Sequence, residues 1–482
     1  MNTITKEYDI IIIGAGTAGC ACAIHAAKKG LNVAIIERKE KEKIGDKVCG
    51  DLIDYRMIDW INKYLKIKYP KKGTINKMIS GMETYSPDKR SIIKTEFKGV
   101  MIDRLKFGQA LIDDAIKLGC KLYSSSICKE PVIKDNFISG IKIKDAKTES
   151  VSTLRSKIVV DASGAIPALR KKIKLKDSCF ESKIDKKDEA FSYREIRKLT
   201  KPLNDSETTK IFMSSKYADG GYYWYFPEKE DVMNVGIGVG RHLDTASMKK
   251  SFLNLISDDP IFEGSKVIHS GGGILPTRKH LDCLVANGFM CAGDSASQIN
   301  PISGGGIAQS MMGGYMCANV SADAIKNGDV SERGLWQLNI LYADRTDKED
   351  MGFNSAMFDG GSQAASDLLK IFTQNQSDKN LNFAMKNFIK SSMLAKMSMG
   401  DTSTMPFLKK MKIIAKSITN LPLLMKFNRI VYLMSSVKNL YKIYPKTPDA
   451  FPEWKKRLDS IYEETYKVSG SGNKQQSNKN DD

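Results

Sequence analysis

The stretch Tyr8 to Arg38, YDIIIIGAGTAGCACAIHAAKKGLNVAIIER, constrains this chain more than any other. Asp9 to Ile13 is a short apolar run rich in β-branched residues, the pattern of a strand buried on both faces. Gly14, Gly16 and Gly19 follow as G-x-G-x-x-G. Cys20 to Lys29 reads as a helix of small and apolar residues that stops at Gly30. Leu31 to Ile36 reads as a second strand ending in Glu37. The spacing has a physical reason. The first glycine allows the tight turn, the second lets the backbone approach a pyrophosphate, and the third lets the helix pack on the strand. The helix N-terminus faces the phosphates, and an acid about 20 residues on takes a ribose hydroxyl. Strand, helix, second strand and acid all fall in register, so the stretch predicts a dinucleotide site.

A chain of 482 residues has room for two or three structural units around such a site. The first apolar run follows Lys6 and Glu7 and fits a strand better than a secretory signal. No uninterrupted apolar stretch is long enough for a transmembrane helix. The nine cysteines show no C-x-x-C pair and read as free thiols of a reducing cytosol. His25, His242, His269 and His280 have no ligand spacing, so no metal is expected. The net charge of +19 is unusual. It leaves nucleic acid, an anionic membrane surface or mere Lys-rich composition open.

After the first unit, 39–47 is a charged loop that leads into Val48-Cys49-Gly50-Asp51. Residues 52–69 look helical and 74–100 alternate in β-like runs. Arg104 opens a helix that stops at Gly119. Lys157 to Val160 is another buried strand, followed by Asp161-Ala162-Ser163-Gly164. The charged stretch 171–210 marks a change of unit, and β segments follow at Tyr222 to Pro227 and Met233 to Gly240. Ala292-Gly293-Asp294 precedes Gly304-Gly305-Gly306 and a helix from Ile307. Residues 331–466 read as mostly helical. The tail from Ser469 is low-complexity and is expected to be disordered.

A G-x-G-x-x-G, then D-A-S-G, then A-G-D before a Gly-rich helix start resembles the aromatic-hydroxylase-like FAD-binding flavoproteins. Within that group, Lys47-Val48-Cys49-Gly50 matches the K-x-C-G of the geranylgeranyl reductase family. Tyr222-Tyr223-Trp224-Tyr225-Phe226-Pro227 matches its Y-x-W-x-F-P, and Asn234-Val235-Gly236-Ile237-Gly238 its N-V-G-x-G. Asp219 stands where the longer form of the motif has proline. The resemblance implies an α/β fold: a Rossmann-type FAD-binding domain with an inserted antiparallel-sheet substrate domain and a mostly helical C-terminal region. The expected division is 1–170 with 271–330 for FAD, 171–270 for substrate, 331–466 helical and 467–482 as tail. Gly14, Ala15, Gly16, Gly19, Glu37, Arg38, Cys49, Gly50 and Arg104 would contact FAD. So would Asp294 at the ribityl chain, and Gly304, Gly305, Gly306 and Ile307 at the pyrimidine end. A helix N-terminus there suits the negative charge of reduced flavin.

In a strand, Tyr222, Trp224 and Phe226 share a face and could wall a long apolar pocket or form an ordinary sheet core. Saturating an isolated C=C needs a hydride, which reduced flavin supplies, and a proton from a positioned donor. A thiol of near-neutral pKa would serve, and Cys49 is the candidate, with packing as the alternative role. The implied reaction is FAD-dependent saturation of geranylgeranyl chains, most naturally those of membrane glycerolipids. The electron donor would be a ferredoxin or NAD(P)H. A flavin monooxygenase or halogenase and a basic nucleic-acid-binding flavoprotein are the competing readings, although no RNA-binding module is recognisable. From Thr402 to Pro448 there is no acid, and nine Lys or Arg interleave with large apolar residues. This is either an interfacial segment for an anionic bilayer or a helical cap. The first reading places the protein in the cytoplasm, peripheral at the membrane surface.

Overall fold

The computed structural model describes residues 6–240, 242–343, 359–399 and 421–470. The chain opens with β1 (Lys6–Ile13), α1 (Thr17–Lys28) and β2 (Val33–Ile36). Next come β3 (Leu52–Asp54), α2 (Tyr55–Leu65), β4 (Ile75–Tyr85), β5 (Ile92–Ile102) and α3 (Arg104–Lys117). Four strands follow: β6 (Lys121–Tyr123), β7 (Ser126–Lys134), β8 (Phe137–Asp145) and β9 (Val151–Asp161). Then stand β10 (Ala190–Lys198), β11 (Thr208–Met213), α4 (Ser215–Ala218), β12 (Tyr222–Lys229), β13 (Val232–Gly240), α5 (Thr245–Asp258) and β14 (Lys266–Leu275). β15 (Val285–Ala286) and β16 (Phe289–Cys291) lead to α6 (Ile307–Asn327). The C-terminal helices are α7 (Glu332–Leu335), α8 (Gln337–Ala343), α9 (Gly360–Gln374), α10 (Asp378–Met399), α11 (Leu421–Lys442) and α12 (Phe451–Ser469).

Two eight-stranded sheets form among the described residues. The first runs β15-β16-β9-β1-β2-β6, with β7 and β8 joined to β9. β1 lies parallel between β2 and β9, which explains its unbroken isoleucine run: Ile10, Ile11 and Ile12 have no exposed surface on either face. Each contributes about 1.5–3 kcal/mol of burial. α1 and α6 pack together against this sheet. Asp161, at the end of β9, accepts from the amides of Leu169 and Arg170 at 2.9 Å, and Arg170 reaches the Ser295 carbonyl at 2.8 Å. The D-A-S-G motif thus braces the segment that follows Asp294.

The second sheet runs β14-β10-β13-β12-β11-β4-β5-β3 and is antiparallel except where β11 meets β4. Three of its strands come from residues 52–102. The boundary expected at residue 170 therefore does not follow sheet membership, because the chain enters the second sheet twice. Alternation in 74–100 reveals strands locally, but not the partner they pair with.

The basic stretch expected to meet a bilayer divides in two. Residues 402–420, including Lys409, Lys410 and Lys412, lie outside the described residues. In α11, Leu423, Ile430, Val431 and Leu433 are buried, and the helix packs on α9 and α12. That apolar face is core. α12 runs through Ser469, and the tail from 471 lies outside the described residues.

Candidate active site

Gly14 adopts φ +98°, and a Cβ there would lie 2.5 Å from the Ala162 carbonyl oxygen. A side chain at Gly19 would meet the Gly14 oxygen at 1.9 Å. Both glycines serve the turn and the close packing of α1 on β1. Gly16 differs: a Cβ there meets no protein atom within 4 Å. Its space is open to a ligand. Glu37 stands at the end of β2 and accepts from the Ala15 amide at 2.8 Å and from the Lys39 amide at 2.9 Å. Arg38 beyond it is exposed. Arg104 is buried at the start of α3, and its Nε has no hydrogen-bond partner. An orphaned buried guanidinium nitrogen, an open glycine turn and a ribose-side carboxylate are the features an anionic dinucleotide would complete. These residues fit FAD.

The K-x-C-G loop joins this turn to the second sheet, and each of its residues touches a different part. Lys47 Nζ is 2.7 Å from Asp294 Oδ2, so the loop lysine meets the A-G-D carboxylate. A Cβ on Gly271 of β14 would lie 2.4 Å from Val48 Cγ2, so a side chain there would displace Val48. The Cys49 carbonyl accepts from Arg194 Nε at 3.2 Å and Asn234 Nδ2 at 3.1 Å. A Cβ on Gly50 would sit 3.1 Å from the Phe226 ring. Tyr222, Trp224 and Phe226 do share one face of β12, and Trp224 and Phe226 are buried there with Ile79 and Met101. Tyr223 and Tyr225 point into the separate core on the other side. Tyr222 Oη donates to the Ser303 carbonyl at 2.5 Å, which ties the aromatic strand to the turn of Gly304, Gly305 and Gly306 before Ile307. A Cβ on Gly306 would be 3.6 Å from Asp294 Oδ1.

The electrostatics at Cys49 depart from expectation. Burial pushes its thiol above the ordinary value, and the Asp51 charge adds to this. Arg104 and Lys47 act in the opposite direction. The near-neutral thiol expected from the sequence is not what this site builds, because desolvation outweighs its positive neighbours. A thiol held protonated is still what a proton donor requires. Tyr222 is pushed up to about 12 by burial, with Cys49 nearby adding to the shift.

Sequence reasoning assigned no role to Asp51, Arg194, Glu228 or the side chain of Asn234. All four are buried behind Cys49. Arg194 had a readable signal: in β10 it shares a face with Ala190 and Ser192, both buried and small.

Two family descriptions match the chain in order. "FAD dependent oxidoreductase" covers residues 9–165, and "Geranylgeranyl reductase catalytic domain" covers 188–275. The chain is similar to a digeranylgeranylglycerophospholipid reductase of Sulfolobus acidocaldarius, 29% identical over 95% of this chain and 98% of that one. A digeranylgeranylglycerophospholipid reductase of Methanosphaera stadtmanae is 26% identical over 80% of this chain and 92% of its own. Among solved structures, a geranylgeranyl bacteriochlorophyll reductase-like protein of Thermoplasma acidophilum superposes with TM-score 0.73. It is 22% identical and covers 88% of this chain and 100% of its own. A flavin-dependent brominase superposes with TM-score 0.58 at 16% identity, covering 94% of this chain and 100% of its own. These two likenesses concern the fold.

Proposed function

Because this chain belongs to the geranylgeranyl reductase family of FAD-dependent oxidoreductases, we propose that it saturates the geranylgeranyl chains of membrane glycerolipids, with Cys49 as proton donor. The carrying observation is the K-x-C-G loop, which touches Asp294 through Lys47 and the aromatic face through Gly50. The names of the relatives support a glycerolipid substrate. Gly14, Ala15, Gly16, Gly19, Glu37, Arg38, Arg104, Asp294 and Gly304 to Ile307 would hold FAD, which when bound and reduced would supply the hydride. Tyr222, Trp224 and Phe226 line the path of the isoprenoid chain and exclude water from it. Cys49 gives its proton to the alkene carbon that does not receive the hydride. Lys47 and Arg104 stabilise the thiolate left behind. A ferredoxin or NAD(P)H would supply the electrons.

The test is anaerobic incubation of the flavin-reduced protein with a digeranylgeranyl glycerolipid, followed by mass spectrometry. Each double bond saturated adds two hydrogens to the lipid. Oxygen uptake coupled to substrate, with no hydrogenated product, would replace this reading by monooxygenase or halogenase chemistry.

We further propose peripheral contact with an anionic bilayer. No helix among the described residues is long and apolar enough to cross a membrane. On α11 and just beyond it, Met425, Tyr432 and Ile443 stay exposed although most of the helix's apolar residues are buried. Lys426, Lys442 and Lys446 are exposed beside them. Each cation near an anionic surface contributes on the order of 1 kcal/mol. Liposome co-sedimentation should rise with anionic lipid content, fall with salt, and weaken in a Met425→Asp/Tyr432→Asp variant. Association indifferent to both lipid charge and variant would leave α11 as a cap alone.

A further inference from the structure

Behind Cys49, three buried oxygens converge on one amide. Asn234 Nδ2 lies 3.1 Å from the Cys49 carbonyl, 3.3 Å from Asp51 Oδ2 and 3.2 Å from Glu228 Oε1. The amide orientation is pinned, because its Oδ1 accepts from Trp224 Nε1 at 3.1 Å and an indole nitrogen only donates. Nδ2 therefore offers two hydrogens to three acceptors. Asp51 and Glu228 are 2% and 6% exposed. Two carboxylates sharing one buried amide resist ionising together, so a proton belongs in this cluster.

The neighbouring charges place that proton. Arg194, itself buried, is 3.6 Å from Asp51 Oδ2 and donates to His269 Nδ1 at 2.7 Å. Asp51 Oδ1 is buried with no hydrogen-bond partner, which suits a neutral carboxyl better than an anion. The groups acting on Asp51 are Arg194 from β10, Arg104 from α3, Glu228 from β12 and Cys49 two residues away. Burial chiefly raises its carboxyl, to about 7, and Glu228 adds to this. Arg194, Arg104 and Cys49 oppose the rise.

We propose that Asp51 holds a proton in reserve and returns it to the Cys49 sulfur after each alkene reduction. The inference rests on Cys49 being the proton donor. In that step the Cys49 S–H bond breaks and a C–H bond forms on one alkene carbon as the alkene π bond opens and the other carbon takes the hydride that bound, reduced flavin would supply. The Asp51 O–H bond then breaks and the S–H bond re-forms. The Asp51 carboxylate, balanced by Arg194 and Arg104, recovers its proton from water once product leaves. Asp51 acts through Cys49 and is a positioning residue.

The test compares FAD-loaded wild type with Asp51→Asn and Asp51→Glu. Wild-type turnover should fall as pH rises through about 7, where Asp51 loses its proton. Asp51→Asn should lower kcat about tenfold with KM unchanged and remove that dependence, and Asp51→Glu should restore it. A second readout is independent of turnover: alkylation of Cys49 followed on its peptide by mass spectrometry. Without the Asp51 charge opposing the thiolate, half-alkylation in Asp51→Asn should move to lower pH. An unshifted alkylation curve, or a shifted curve with an unchanged pH–rate profile, overturns the proposal. Should Asp51→Asn fail to hold FAD, Asp51→Glu decides: a retained dependence on pH supports the reserve, and its loss overturns it. Undiminished turnover in Cys49→Ala would instead overturn the donor role itself, while loss there with a wild-type profile in Asp51→Asn overturns only the reserve.

Discussion

Replacing Gly16 with valine should yield a folded, colourless protein. Gly16 has φ −76° and ψ −173°, a conformation any residue can adopt, and a Cβ there meets nothing within 4 Å. The protein itself has no objection to the side chain beyond about 1 kcal/mol for a poorer helix cap. The cofactor would, because the proposed site brings its pyrophosphate against this backbone at the start of α1. A weakening of FAD binding by at least about a hundredfold, roughly 3 kcal/mol, is expected. Flavin absorbance after purification and titration of FAD into the apoprotein measure it. Gly19→Val is the contrasting control, since its side chain would strike the Gly14 oxygen and disturb the fold before any ligand arrives. Normal FAD content in Gly16→Val would mean that this turn is not where the dinucleotide binds.

The second large effect is expected at Cys49. Cys49→Ala should keep its FAD and its fold, because Arg194 and Asn234 hold the carbonyl of residue 49 and not its sulfur. What the variant lacks is the proton. Loss of a positioned acid slows such steps by about 10²–10⁴-fold. Reoxidation of chemically reduced flavin by a geranylgeranyl lipid, in a single turnover under anaerobic conditions, isolates the step. A rate within a few-fold of wild type would return Cys49 to a packing role and leave the proton to water or another acid.

The two variants probe residues of different legibility. Gly16 sits in a motif whose spacing is dictated by one strand, one turn and one helix, so its role is local and could be read from 31 consecutive residues. Cys49 was singled out through a resemblance, and its neighbours were not foreseeable. The pairing of Lys47 with Asp294 spans 247 positions, and that of Cys49 with Arg194 spans 145. Nothing in the pattern around either residue encodes its partner.

The sequence by itself determined the dinucleotide turn, the buried strands β1 and β9, the shared face of Tyr222, Trp224 and Phe226, and most of the helical C-terminal content. Each is a matter of period, glycine placement or short-range sterics, which act within a few residues of the chain. Tertiary structure alone decided that β3, β4 and β5 join the second sheet and that the apolar residues of α11 turn inward. It also decided that a thiol expected near neutrality is raised, and that Asp51, Arg194, Glu228 and Asn234 meet behind it. Those outcomes depend on pairing and desolvation. Both are set by which distant segments exclude water from a given atom, and the order of residues along the chain does not record that.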